Sequence, residues 1–237
     1  MTSADELLAQ LDSAAPGLVV GAHVVGSAVM DDVVADSDLD VVIELAHVPA
    51  DLSVLMAPVD VDVIYVLAGE LVKPVSSAST VAWGRDGKVD ASSQGDLTPV
   101  LWEQLRTLSS TVRGTRPACP VTREDVVAHC RENLRSYWEP LLQQADRVLT
   151  NREEHRPVFR EPLLWIAFGP ARLWHTIRTG EIVSKSRAAE LAAARWPDLA
   201  PLLLDLVAAR RDPSSVELTV DHGAAALELG KRVLAAG

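Results

Sequence analysis

Four aspartates stand in two pairs, each pair two residues apart: Asp38 and Asp40 in Ser37-Asp38-Leu39-Asp40, and Asp60 and Asp62 in Asp60-Val61-Asp62-Val63. The apolar runs Leu39 to Leu45 and Val59 to Leu67 that carry them read as strands. Side chains two positions apart on a strand share a face, so Asp38 and Asp40 point together while Leu39, Val41 and Ile43 point into a core. Two adjacent carboxylates repel each other, and a divalent cation relieves that repulsion; Mg²⁺ takes a few carboxylate oxygens and completes its shell with water and phosphate. If the two strands are neighbours, Asp62 faces the first pair. It would then either accept the proton of an incoming hydroxyl or complete a second metal site. Upstream, Gly26-Ser27 follows a Val-rich run and would offer a backbone N–H and a hydroxyl to a triphosphate. The chemistry implied is phosphoryl or nucleotidyl transfer, which needs positioning and charge neutralisation more than covalent help.

The elements that must hold these residues can be read in turn. Ser3 and Glu6 form a capping-box pattern ahead of Leu7, Leu8 and Leu11, predicting a helix from Ser3 to Ala14 that stops at Pro16-Gly17. Leu18 to Val25 has the composition of a buried strand, and Leu71 to Asp96 reads as a strand or two with irregular loops. After Asp96 the periodicity turns helical over Leu97–Ser109, Arg123–Leu149, Glu161–Thr179, Ser186–Ala194 and Leu199–Arg210. Gly169-Pro170 interrupts the third of these, which is then either kinked or two helices. The Gly114–Pro120 stretch reads as a linker. The expected fold is therefore α+β: an N-terminal domain, 1–117, with a small mixed β-sheet and flanking helices, and a C-terminal all-α helical bundle, 118–237.

Composition narrows the setting. The 237 residues carry 22 basic and 33 acidic side chains, a net charge of −11, which repels phosphate polymers and disfavours nucleic acid as a partner. Cys119 and Cys130 form no C-x-x-C pair, pointing to a reducing compartment. Neither a signal-peptide pattern nor a run of about 18 apolar residues is evident, so a cytoplasmic protein with no membrane partner is expected. His129-Cys130 and His175 lack the second ligand pair that zinc spacing requires.

The motif Val24-Val25-Gly26-Ser27-Ala28-Val29, then Ser37-Asp38-Leu39-Asp40, then Asp62 on a later strand, resembles the polymerase-β nucleotidyltransferase superfamily. It is most similar to the aminoglycoside adenylyltransferases of the streptomycin/spectinomycin type. Arg172-Leu173-Trp174, Thr179-Gly180, Ile182, Lys185, Ala188-Ala189 and Trp196-Pro197 are similar to a segment of the helical domain of those enzymes. The resemblance covers most of the chain, with residues 68–95 poorly matched. It implies that Gly26, Ser27 and Ser37 contact the triphosphate and that Asp38 and Asp40 hold Mg²⁺. Asp62 then stands where that family has its catalytic carboxylate, often a Glu. Arg172 and Lys185 would reach the phosphates, and ATP would lie between the two domains as co-substrate.

On this reading the protein moves AMP from ATP to a hydroxyl of a small cationic acceptor, an aminoglycoside first among them; the sequence leaves the oligomeric state open, a monomer being compatible with it. The acceptor site should be acidic with an aromatic wall. Trp83 and Glu161 are its first candidates, followed by Tyr137, Trp138, Glu153, Glu154 and Trp165; Pro162 and Leu163 occupy places where that family has polar residues. Two alternatives stand beside it: transfer to tRNA or a protein, as in toxin-type nucleotidyltransferases, and a catalytically silent nucleotide sensor.

Overall fold

The computed structural model describes residues 2–91, 97–150 and 158–236. The chain falls into two compact units, Met1–Thr122 and Arg123–Gly237. Cys119 and Val121, which lie past the linker position read at 118, pack into a core cluster of the first unit with Trp102 and Leu105.

In the first unit, helix α1 (Ala4–Ala14) begins at the capping box read from the sequence. The Glu6 N–H donates to Ser3 Oγ at 3.2 Å and the Ser3 N–H to Glu6 Oε2 at 2.8 Å, satisfying two backbone donors at the helix start. Strands β1 (Val19–Val24), β2 (Leu39–Leu45), β3 (Val61–Leu67), β4 (Thr80–Arg85), β5 (Lys88–Asp90) and β6 (Ser110–Arg113) form one mixed sheet in the order β5-β4-β3-β2-β1-β6. Only β2 and β3 pair in parallel; the other neighbours are antiparallel. Alternation sorts the side chains onto two faces. Val41, Ile43, Leu45, Val61, Val63 and Tyr65 share a buried cluster with Leu7, Leu8 and Leu11 of α1. On the other face, Val42 and Val66 pack with Trp102 and Leu105 of helix α2 (Pro99–Thr107). The sheet is thus a layer between two helices, as its two apolar faces require.

The structure departs from the sequence reading here in two places. β6 falls in the gap between the helical stretches Leu97–Ser109 and Arg123–Leu149, where the sequence reading assigns no strand; it is short and polar and borders only β1, so no apolar run announces it. β3 starts at Val61 and not Val59, because a turn in which the Val61 N–H donates to the Pro58 carbonyl leaves Val59 in solvent.

The second unit is helical: α3 (Arg123–Asn133), α4 (Glu139–Thr150), α5 (Arg160–Thr179), α6 (Lys185–Arg195), α7 (Ala200–Arg211) and α8 (Val220–Ala236). A π-type turn, Leu134–Trp138, joins α3 to α4. Of the two alternatives for Gly169-Pro170, separate helices are excluded, since α5 runs through with Pro170 inside it. An internal proline costs about 3 kcal/mol. Burial of Phe168, Pro170, Ala171 and Trp174 in the shared core offsets that cost. α8 has no counterpart in the periodicity reading.

Candidate active site

The site is assembled at the start of the parallel pair. Leu39 lies opposite Val61 and Asp40 opposite Asp62, so two carboxylates occupy adjacent strands at one level and on one face. Asp40 is half-buried, and Asp38, one step before β2, is exposed. The backbone around Asp40 is pinned from both sides. Its carbonyl accepts the Val25 N–H at 3.0 Å, and the neighbouring Leu39 N–H donates to the Asp60 carbonyl at 2.9 Å. Gly26 then turns with φ +70° against the Asp40 side chain; a Cβ there would lie 3.0 Å from Asp40 Cβ and overlap its carboxylate. Glycine is required at this position twice over, by conformation and by space.

The remaining motif residues can be placed one by one. The Gly26 N–H donates to Oε1 of the buried Gln104 at 3.1 Å. Ser27 is half-buried in the 3₁₀ turn Gly26–Val29, and its carbonyl accepts from the Met30 and Asp32 N–H groups. Ser37 closes its own loop, accepting the Val34 N–H on Oγ at 3.0 Å. Asp60 is drawn to the N-terminus, where the backbone N–H and hydroxyl of Thr2 donate to it.

Asp62 has a different partner. Because Val63 pairs with Gly84, the next residue of β4, Arg85, lies beside Asp62, and its Nη2 is 3.1 Å from Asp62 Oδ2. Burial raises the Asp62 carboxyl above the usual carboxylate range; Arg85 opposes that shift, and the nearby Asp38 and Asp86 charges add to it. Trp83, two residues before Arg85 and on the same face, has its ring centroid 5.9 Å from the Arg85 guanidinium carbon. Arg85 is the partner of Asp62 that the sequence reading did not single out. Once Thr80–Arg85 is known to be a strand, a basic residue two positions from Trp83 must share its face. Among the described residues no group of three or more His, Cys, Asp or Glu side chains could hold a metal ion. Asp38, Asp40 and Asp62 are therefore neighbours that do not close a three-carboxylate cage, and Asp62 has Arg85 as its ion-pair partner.

Arg172 and Lys185 belong to the second unit. Arg172 is half-buried on α5 and donates from Nε to the Val183 carbonyl at 3.2 Å. Lys185 opens α6, its Nζ 5.9 Å from the Trp165 ring centroid. Trp165 in turn donates from Nε1 to the hydroxyl of Tyr137 at 3.2 Å, and each residue is a little under half exposed. Glu161 is exposed in the first turn of α5, whereas Trp138 and Trp174 are buried in the bundle core. Glu153 and Glu154, with the rest of the charge run Arg152–Arg156, lie outside the described residues. No helix among the described residues is long and apolar enough to cross a membrane.

The architecture is a mixed sheet with aspartates at the head of its parallel pair, followed in the chain by a helical bundle. The chain is similar in structure to the spectinomycin adenyltransferase AAD(9) of Enterococcus faecialis, crystallised with ATP and spectinomycin. The TM-score is 0.62 over 98% of this chain and 99% of that one, at 14% sequence identity, a likeness of fold. No protein-family model and no curated protein sequence matches the chain.

Proposed function

We propose that the protein is a Mg²⁺-dependent nucleotidyltransferase that moves AMP from ATP to a hydroxyl of a small cationic acceptor, of the aminoglycoside class, with release of pyrophosphate. The observation that carries this reading is the register of Asp40 against Asp62 with Gly26 folded onto Asp40. Structural likeness to an enzyme solved with ATP and spectinomycin supports it.

Asp38 and Asp40 supply hard oxygen donors two residues apart, a set that suits Mg²⁺ completed by water and phosphate. When bound, the cation neutralises charge on the triphosphate. Ser37 directly precedes this pair and Ser27 follows Gly26, which packs on Asp40; both are assigned to the triphosphate, as are Arg172 and Lys185 of the second unit. Asp62 receives the acceptor proton; burial has already raised its proton affinity, which suits a base better than an ordinary surface carboxylate would. The acceptor oxygen then forms its bond to the α-phosphorus as the bond to pyrophosphate breaks. Trp83 and Glu161 are assigned to the acceptor side. The first unit carries 17 acidic against 6 basic side chains, a field that draws in cations and disfavours RNA as acceptor. Both cysteines are buried and free, as befits a reducing cytoplasmic setting.

The test is pyrophosphate release from ATP and Mg²⁺ across a panel of aminoglycosides, with tRNA as the competing acceptor. Asp40→Asn should lower turnover by about 100-fold or more while thermal unfolding stays within a few degrees of wild type. A folded Asp40→Asn protein with wild-type turnover would exclude this site.

A further inference from the structure

Beside the aspartates, β3 and β4 bring together a cation, a carboxylate and an indole ring in a fixed arrangement. Arg85 ends β4 at a two-residue hairpin, with Asp86 at φ +52° and Gly87 at φ +77° and Arg85 paired to Lys88. Two consecutive residues with positive φ define the hairpin turn whose twist matches its strands, so the Arg85 backbone is held at a fixed place in the ladder. From there its guanidinium reaches Asp62 Oδ2 at 3.1 Å and lies over the Trp83 ring. The Asp62 side chain is only 20% exposed, whereas that of Arg85 is 48% exposed. A partly desolvated carboxylate gains more from a fixed cation than a surface one does. The ion pair runs through Oδ2. A divalent cation on the same carboxylate would have to sit beside a guanidinium, and like charges in a partly buried site repel strongly.

We propose that Arg85 is a positioning residue: braced by Trp83, it holds Asp62 in place and keeps divalent metal off it, so that the metal belongs to Asp38 and Asp40. This rests on the nucleotidyl-transfer reading for its meaning, but the metal preference can be measured without turnover. Trp83, assigned above to the acceptor side, then also contributes through Arg85.

The experiment titrates Mn²⁺, as a paramagnetic stand-in for Mg²⁺, into the nucleotide-free protein and follows free Mn²⁺ by electron paramagnetic resonance. Wild type is compared with Asp40→Asn, Asp62→Asn, Arg85→Gln, Arg85→Lys and the Asp62→Asn/Arg85→Gln pair. Asp40→Asn should weaken binding and Asp62→Asn should leave it within about twofold. Arg85→Gln should tighten it severalfold, an effect absent in the double variant because the released carboxylate is gone. In turnover assays Arg85→Gln should lower kcat by about 10-fold or more with little change in KM for ATP, and Arg85→Lys should recover part of the loss. Trp83→Leu should reproduce much of the kcat loss and combine less than additively with Arg85→Gln.

The proposal is overturned if Asp62→Asn weakens Mn²⁺ binding as much as Asp40→Asn does, if Arg85→Gln does not tighten it, or if no variant binds Mn²⁺ in the millimolar range. Should the Mn²⁺ pattern hold while no acceptor is ever adenylylated, the activity reading fails and the Arg85 assignment stands. Turnover that depends on Asp40, together with Mn²⁺ binding that depends on Asp62, overturns the Arg85 assignment and leaves the activity reading in place.

Discussion

On the proposed function, Asp62 is the residue at which stability and activity pull apart. Its carboxyl is raised above the ordinary 3.8 by burial, with Arg85 offsetting only part of that effect. The sign follows from linkage: the native state binds the proton more readily than the unfolded chain does. Ionisation is therefore penalised in the fold, and stability is lost as pH rises through the interval between the unfolded and the native values. Above that interval the penalty is constant. Asp62→Asn keeps the shape and removes the charge, so its melting temperature should exceed wild type at pH 7. That advantage should shrink as pH falls towards the ordinary carboxylate range, while turnover is lost. Scanning calorimetry of both proteins across pH decides the matter, and a lower melting temperature for Asp62→Asn at pH 7 would contradict it. The three aspartates and Gly26 were legible because their spacing encodes a shared strand face and a close approach. Arg85 was not, because the Asp86-Gly87 pair that fixes its place reads as part of a loop unless recognised as a hairpin turn.

The same contrast holds among the elements, where local signals carried those that advertise themselves. The capping box gives α1, and alternating or continuous apolar runs give β1, β2 and β3. Elements defined by their partners were hidden: β6 exists because β1 has a free edge, and α8 carries Gly223 and Gly230 against leucines of α4, which dilutes its apolar stripe. Continuity of α5 is a tertiary effect of this kind. Gly169 lies against the buried Trp138 so closely that an added Cβ would enter the indole ring, 2.8 Å from Cε2 and nearer still to the six-membered ring. Helix propensity alone predicts that Gly169→Ala stabilises α5 by about 1 kcal/mol. Overpacking a rigid ring costs about 1–3 kcal/mol, so the packing term should win and the variant should be less stable in urea. Gly223→Ala is the control, because the atom it meets first is Leu149 Cδ1 at 3.0 Å, the end of a flexible side chain. If both alanines stabilise alike, the close seat of α5 on Trp138 is wrong.

Over the whole molecule the charge is unevenly divided. The first unit's 17 acidic and 6 basic side chains account for the full net charge of −11, since 16 of each sign balance in the second. That division is legible in the sequence only once the unit boundary is known, and it bears on the acceptor more directly than any single aromatic ring does. A field of one sign around an active carboxylate cluster raises the local concentration of a polycation and speeds its arrival, and salt removes the effect because the Debye length shrinks from about 10 Å at 0.1 M to about 3 Å at 1 M. A cationic aminoglycoside acceptor should therefore lose about 10-fold or more in kcat/KM between low salt and 0.5 M KCl. An uncharged acceptor of similar size should change little, because no long-range attraction is there to be screened. Magnesium must be held saturating and ionic strength set with KCl alone, so that the loss reports the acceptor and not the metal. Equal salt sensitivity for charged and neutral acceptors would mean that the acidic first unit serves the metal and solubility only, and the cationic acceptor class would fall with that result.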